Sequence, residues 1–201
     1  MKTLAATLAI LLLTQPTVAD GGLAQDQVRQ SVENLLTILK NPQLKGERKK
    51  NERRSKLKEV IYQRFDFTEM AKRSLGSYWR RLSPEEKKQF ITLFTALLED
   101  AYLDEIESYN GEKVLFVKER QDNDYAEVDT KIVDNKGREF AVDYRLYNLN
   151  GDWKVYDVLI EDVSLVNNYR AQFNRVLARE SFDELLTRMR GKRFSAPAAK
   201  S

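Results

Sequence analysis

From residue 25 onward the apolar positions of this chain recur with a helical period, then with a period of two, then helically again. Val28, Val32, Leu35, Leu36 and Leu39 form one stripe, which predicts an amphipathic helix over 25–40. Asn41-Pro42 ends it, because proline disfavours helical geometry at the residue before it. A second helix is expected over about 47–62, polar at first and apolar at Leu57, Val60 and Ile61. Asp66, with Glu69 three residues on, starts a short helix that stops near Gly76. Ser83-Pro84-Glu85-Glu86 is a fuller start signal. The serine caps, the proline takes the first helical position where its missing N–H costs nothing, and Glu86 returns the capping bond. Phe90, Leu93, Phe94, Leu97, Leu98, Ala101 and Tyr102 follow at helical spacing, and this long helix runs to Asn110-Gly111.

The period then changes to two. One strand is expected over 114–119, and in the next Ala126, Val128, Thr130 and Ile132 alternate with Glu127, Asp129 and Lys131. Asn135-Lys136-Gly137 turns the chain into a third strand, where Phe140, Val142, Tyr144 and Leu146 share a face. Asn150-Gly151 is a tight-hairpin signal leading to a fourth. That fourth strand reads as apolar on both faces, Trp153, Val155 and Leu159 pointing one way and Tyr156, Val158 and Ile160 the other. It runs into a helix carrying Leu165, Val166, Tyr169, Phe173, Val176 and Leu177, and a last helix is capped by Ser181 and Glu184. The expected fold is α+β: a four-stranded antiparallel meander packed against N-terminal and C-terminal helices.

Residues 1–19 read as an export signal. Lys2 precedes an apolar run from Leu4 to Leu13, and Thr17-Val18-Ala19 offers small residues before a cut near Ala19. The expected organisation is this signal, one domain over 20–192 and a disordered tail over 193–201. The net charge of +3 comes from 34 basic and 31 acidic side chains, a mixed surface that argues against nucleic acid as a partner. The densest basic run, Lys45 to Lys58, is interrupted by Glu47 and Glu52; it reads either as a contact for anionic headgroups or an acidic partner surface, or, as such runs more often are, as the solvated face of a helix.

The chain has no cysteine and no histidine, which excludes disulfides, thiolate zinc sites, cysteine nucleophiles and histidine-based triads. No glycine loop suited to phosphate is present. One acid stands out: Asp157, between Val155 and Leu159, reads either as a raised-pKa base working with Tyr144 on an apolar substrate, or as a structural acid paired with Arg145 or Arg170. The apolar layers themselves fit either a filled core or a cavity, since periodicity does not distinguish the two.

Several segments, in order, resemble the MlaC (toluene-tolerance) family of periplasmic phospholipid-binding proteins. They are Arg64-Phe-Asp-Phe-Thr-Glu-Met-Ala71, Leu75-Gly76-Ser-Tyr-Trp79, the Leu82-Ser-Pro-Glu-Glu86 helix start, and Trp153-Lys-Val-Tyr-Asp-Val158 with Val163-Ser-Leu-Val-Asn-Asn-Tyr-Arg-Ala-Gln-Phe173. Asp162 departs from the pattern, which carries a small residue there, usually glycine. The resemblance implies a monomeric, non-enzymatic periplasmic carrier without cofactor, whose ligand is a phospholipid. It implies exchange with the MCE-type subunit of an inner-membrane ABC transporter and with an outer-membrane lipoprotein–porin complex. Acyl chains would occupy an apolar cavity between sheet and helices. Strand alternation and helix stripes nominate its lining as Phe67, Met70, Leu93, Leu97, Val128, Ile132, Val142, Tyr144, Leu146 and Val155.

Overall fold

The computed structural model describes residues 23–196. The expected export signal and the end of the expected tail lie outside the described residues. The elements are α1 (Leu23–Lys40), α2 (Lys50–Arg64), α3 (Phe67–Leu75), α4 (Pro84–Glu107), β1 (Lys113–Asp122), β2 (Tyr125–Val133), β3 (Glu139–Leu149), β4 (Asp152–Ile160), β5 (Val163–Ser164), α5 (Leu165–Leu177) and α6 (Phe182–Arg190). Short 3-10 turns precede α2 and follow α3.

The start signals behave as their chemistry requires. Asp66 accepts from the Glu69 N–H, and at α4 both halves of the capping box form, Ser83 Oγ accepting from Glu86 N while Glu86 accepts from Ser83 N. Ser164 and Ser181 cap α5 and α6 in the same way. At the other end, Phe194 packs edge-on against Phe173 and the Ser195 N–H donates to Gln172, so the chain is held to α5 as far as residue 195.

The sheet is antiparallel, in the order β1-β2-β3-β4-β5. It has five strands where four were expected, because the chain after Ile160 turns back for two residues before α5 begins. Glu161 and Asp162 make that turn with φ of 49° and 64°. Asp162, the position where glycine was expected, is thus in the left-handed region that a Cβ disfavours. Its charge also bears on Asp143, whose carboxyl is pushed up first by burial and then partly by neighbouring acids that include Asp162. Asp162→Gly is therefore expected to raise stability by about 0.5–1 kcal/mol, the relief at αL exceeding glycine's extra unfolded-state entropy. Urea denaturation checks it.

The expected two-faced alternation of β4 needs correction. Arg145 pairs with Asp157 but Leu146 pairs with Val155, so Tyr156 is an extra residue in the ladder. The slip brings Trp153, Val155, Val158 and Ile160 to the same apolar cluster, with Ala24 and Val28 of α1, Ala126, Val128 and Leu146. Tyr156 and Asp157 meet the groups of the opposite face instead. Tyr156 touches Tyr125, Tyr147 and Arg73, and Asp157 faces Arg145.

A second apolar cluster joins α3, α4, α5 and α6. Phe90, Phe94, Tyr169 and Phe173 are fully buried in it, with ring centroids 5.6–6.1 Å apart. Neither cluster of buried residues contains a residue of α2.

Candidate functional site

Between the sheet and helices α1, α2 and α4 the side chains do not meet. They leave a hollow of about 470 Å³, within the range of roughly 300–1,000 Å³ typical of small-molecule sites. Most of its wall comes from four directions, with Phe67 and Met70 of α3 and Leu165 of α5 completing it. The apolar stripe of α1 supplies Val32, Leu35, Leu36 and Leu39; Ile61, Tyr62 and Phe65 come from α2 and the residue after it. Leu98, Tyr102 and Ile106 come from α4, and Ile132, Val142, Tyr144, Val158 and Ile160 from the sheet. Many of these remain only half-buried although they lie inside the molecule, Leu35, Leu36, Ile61, Ile106, Ile132 and Val142 among them. Uncovered apolar surface costs about 25 cal/mol per Å², so this lining is a standing cost that an apolar occupant would relieve.

Polar groups gather at the margins. Lys58 donates to Glu99 at 2.8 Å, and the Tyr62 hydroxyl donates to the same carboxylate. Burial first, and Glu99 second, push the Tyr62 phenol up to about 12. Arg64 is committed to structure, donating from Nε to Ser31 and from Nη1 to Gln27, Asp152 and the Trp153 carbonyl. Within the wall, burial pushes Tyr144 up to about 12, so the phenol stays neutral at ordinary pH.

Of the expected lining residues, Phe67, Met70, Ile132, Val142 and Tyr144 do border the hollow. Leu93 and Leu97 do not. They stand on the other side of α4 and pack with the helical cluster, Leu97 buried and Leu93 partly so. Val128, Leu146 and Val155 are also corrections: they face the right way but are fully covered, sealed with α1 residues at the filled end of the sheet. The reading missed the α1 stripe and the second half of α4. Leu98, Tyr102 and Ile106 continue one helical register along α4, with Tyr109 just past its end, and that run was the available signal.

Asp157 and Tyr144 are not brought together. Tyr144 pairs with Val158 and borders the hollow, whereas Asp157 lies across the sheet beside Arg145 at 3.7 Å. Asp157, only 4% exposed, accepts from Ser164 Oγ at 2.6 Å and from the Val166 N–H at 3.0 Å. It is a buried brace that fixes the start of α5 to β4. Asp157→Ala is expected to lower stability by about 2–3 kcal/mol, since it strands buried donors. Urea denaturation of the variant beside the parent checks it. Among the described residues no group of histidine, cysteine or acidic side chains is placed to hold a metal ion, and no helix is long and apolar enough to cross a membrane.

Comparison with known proteins places this architecture. The model of the MlaC protein family matches residues 29–191. The intermembrane phospholipid transport system binding protein MlaC of Haemophilus influenzae is 28% identical over 120 residues, 57% of this chain and 56% of that protein. Toluene tolerance protein ttg2D of Pseudomonas putida is 28% identical over 107 residues, covering 53% and 50%. The aligned stretch thus spans about half the length of these curated relatives. A solved phospholipid-binding protein from Ralstonia solanacearum, in complex with a phospholipid, superposes with a TM-score of 0.74 at 26% identity, over 84% of this chain and 96% of that one. The family match runs through every element from α1 to α6, and on that ground this chain belongs to the MlaC family.

Proposed function

We propose that this protein carries phospholipid between membranes, sheltering the acyl chains in the hollow and leaving the headgroup at its polar margin. The observation that carries this reading is the unfilled, apolar space between α1, α2, α4 and the sheet. The Ralstonia solanacearum protein of similar fold, described in complex with a phospholipid, supports it. Each methylene exposed to water costs about 0.8 kcal/mol, so a bare two-chain lipid is held in its bilayer by well over ten kcal/mol. An apolar hollow offers the chains surroundings close to the bilayer's, which makes transfer nearly balanced in free energy without any catalytic group.

The setting proposed is the periplasm, reached through the export signal at 1–19. The partners proposed are those the family resemblance implies: an MCE-type subunit of an inner-membrane ABC transporter and an outer-membrane lipoprotein–porin complex. Native mass spectrometry of protein purified from a Gram-negative periplasm tests the core of the reading. The expected spectrum shows one or more phospholipid adducts, and stripped protein should regain them from liposomes. Ligand-free protein that takes up nothing would sink the proposal.

A further inference from the structure

On the outer half of the α1–α2 hairpin, charge adds to the apolar packing of Leu57, which is fully buried. Arg53 reaches the Glu107 carboxylate at 2.7–2.8 Å, and Arg54 Nε reaches its other oxygen at 2.6 Å while Nη2 donates to Asp104. Further along, Lys58 and Tyr62 both hold Glu99. The rungs at 53–54, 58 and 62 on α2 meet 104–107 and 99 on α4, an antiparallel ladder across one side of the hollow. Glu107 lies between two guanidinium groups with its side chain only 9% exposed. Of the apolar residues of α2, Leu57 is fully buried, whereas Ile61 and Tyr62 border the hollow.

The two ends of α2 are anchored differently. Its C-terminal end is fixed to the sheet: the Asp66 N–H donates to the Val155 carbonyl at 2.9 Å, Phe65 bridges Val155, and Arg64 ties α1 to β4. Similarly, α1 is sealed into the core by Ala24 and Val28 but ends in Leu35, Leu36 and Leu39, which line the hollow. Both helices are thus fixed at the sheet end, and the ladder restrains α2 on the side facing α4.

We infer that this ladder is the latch that sets how fast lipid enters and leaves, so that Arg53, Arg54 and Glu107 control exchange rate rather than capacity. The inference rests on the carrier reading. None of these three residues lines the hollow, which separates access from binding. A pair-wise charge restraint also lets an approaching charged surface compete for its members, which an apolar seal would not.

The test measures transfer of a pyrene-labelled phosphatidylglycerol from phosphatidylcholine vesicles into the stripped full-length protein. Glu107→Gln keeps the shape and removes the charge; Arg54→Gln is milder, leaving Glu107 with Arg53. Expected exchange rates rise in the order parent, Arg54→Gln, Glu107→Gln, the last by roughly tenfold, about 1.4 kcal/mol off the opening barrier. The lipid bound at saturation should stay the same, and the double variant should exceed Glu107→Gln by less than the Arg54→Gln step alone, because both act on one contact. Equal rates in folded parent and variants, each with full capacity, overturn the latch and leave the carrier reading standing. No uptake by the parent overturns the carrier reading itself. If Glu107→Gln fails to fold, Arg54→Gln alone decides between the first two outcomes.

Discussion

Ile132→Trp combined with Val142→Trp should strip the protein of bound phospholipid without weakening its fold. Both side chains come from the sheet, both border the hollow, and both are only half-buried. In a filled core such enlargement costs about 1–3 kcal/mol, because neighbours are forced off their rotamers. Here the indoles would enter open space and cover apolar wall that is otherwise bare. The lipid loses what they gain. Displacing two methylenes, at about 0.8 kcal/mol each, already exceeds the 1.4 kcal/mol of a tenfold change in affinity. Lipid recovered by extraction should therefore fall by roughly tenfold or more, while the urea midpoint of stripped protein holds or rises. A double variant that unfolds easily yet keeps its lipid would show that the chains lie elsewhere.

Phe94→Ala should do the reverse, costing about 3–5 kcal/mol of stability with lipid content per folded molecule retained. Phe94 is completely buried, stacked on Phe90 at 5.9 Å and edge-on to Tyr169 and Phe173 at 5.7 and 6.1 Å. Its removal opens a gap that four helices would have to collapse to close. Val142→Ala, which merely widens an existing space, should cost under about 1 kcal/mol. The comparison must use stripped protein, because a ligand bound only to the native state adds stability by mass action. Similar costs for the two truncations would contradict the division into a packed helical half and a hollow half.

That division was only partly legible in the chain. The order of elements, the start of α4 at Ser83-Pro84 and the meander were readable, because capping bonds, turn residues and the period of apolar positions are local properties. The family resemblance, carried by short segments from Arg64 to Phe173, pointed to a cavity, but the identity of its walls depended on tertiary arrangement. Leu97 and Leu98 are adjacent apolar residues on one helix, yet only Leu98 borders the hollow. Which of them does so depends on the rotation of α4 against its neighbours, and composition is silent on that. Val128 and Ile132 share a strand face, but α1 residues pack onto the first, whereas the second borders the hollow that α1 lines with Val32, Leu35, Leu36 and Leu39. A two-residue strand such as β5 leaves no periodic trace at all. The slip at Tyr156 was hidden because a bulge looks like ordinary sequence until its partner strand is known.

That extra residue in β4 also gives this point of the chain one residue of slack in length. Exchanging Tyr156 for another aromatic leaves the parity of the strand intact. Excising it would leave a regular strand, with Val155, Val158 and Ile160 still turned to the greasy chamber and Asp157 still turned away, at the loss of the contacts Tyr156 makes with Tyr125, Tyr147 and Arg73. Drift in this lineage should therefore accept a word one letter shorter at 156 and reject one two letters shorter.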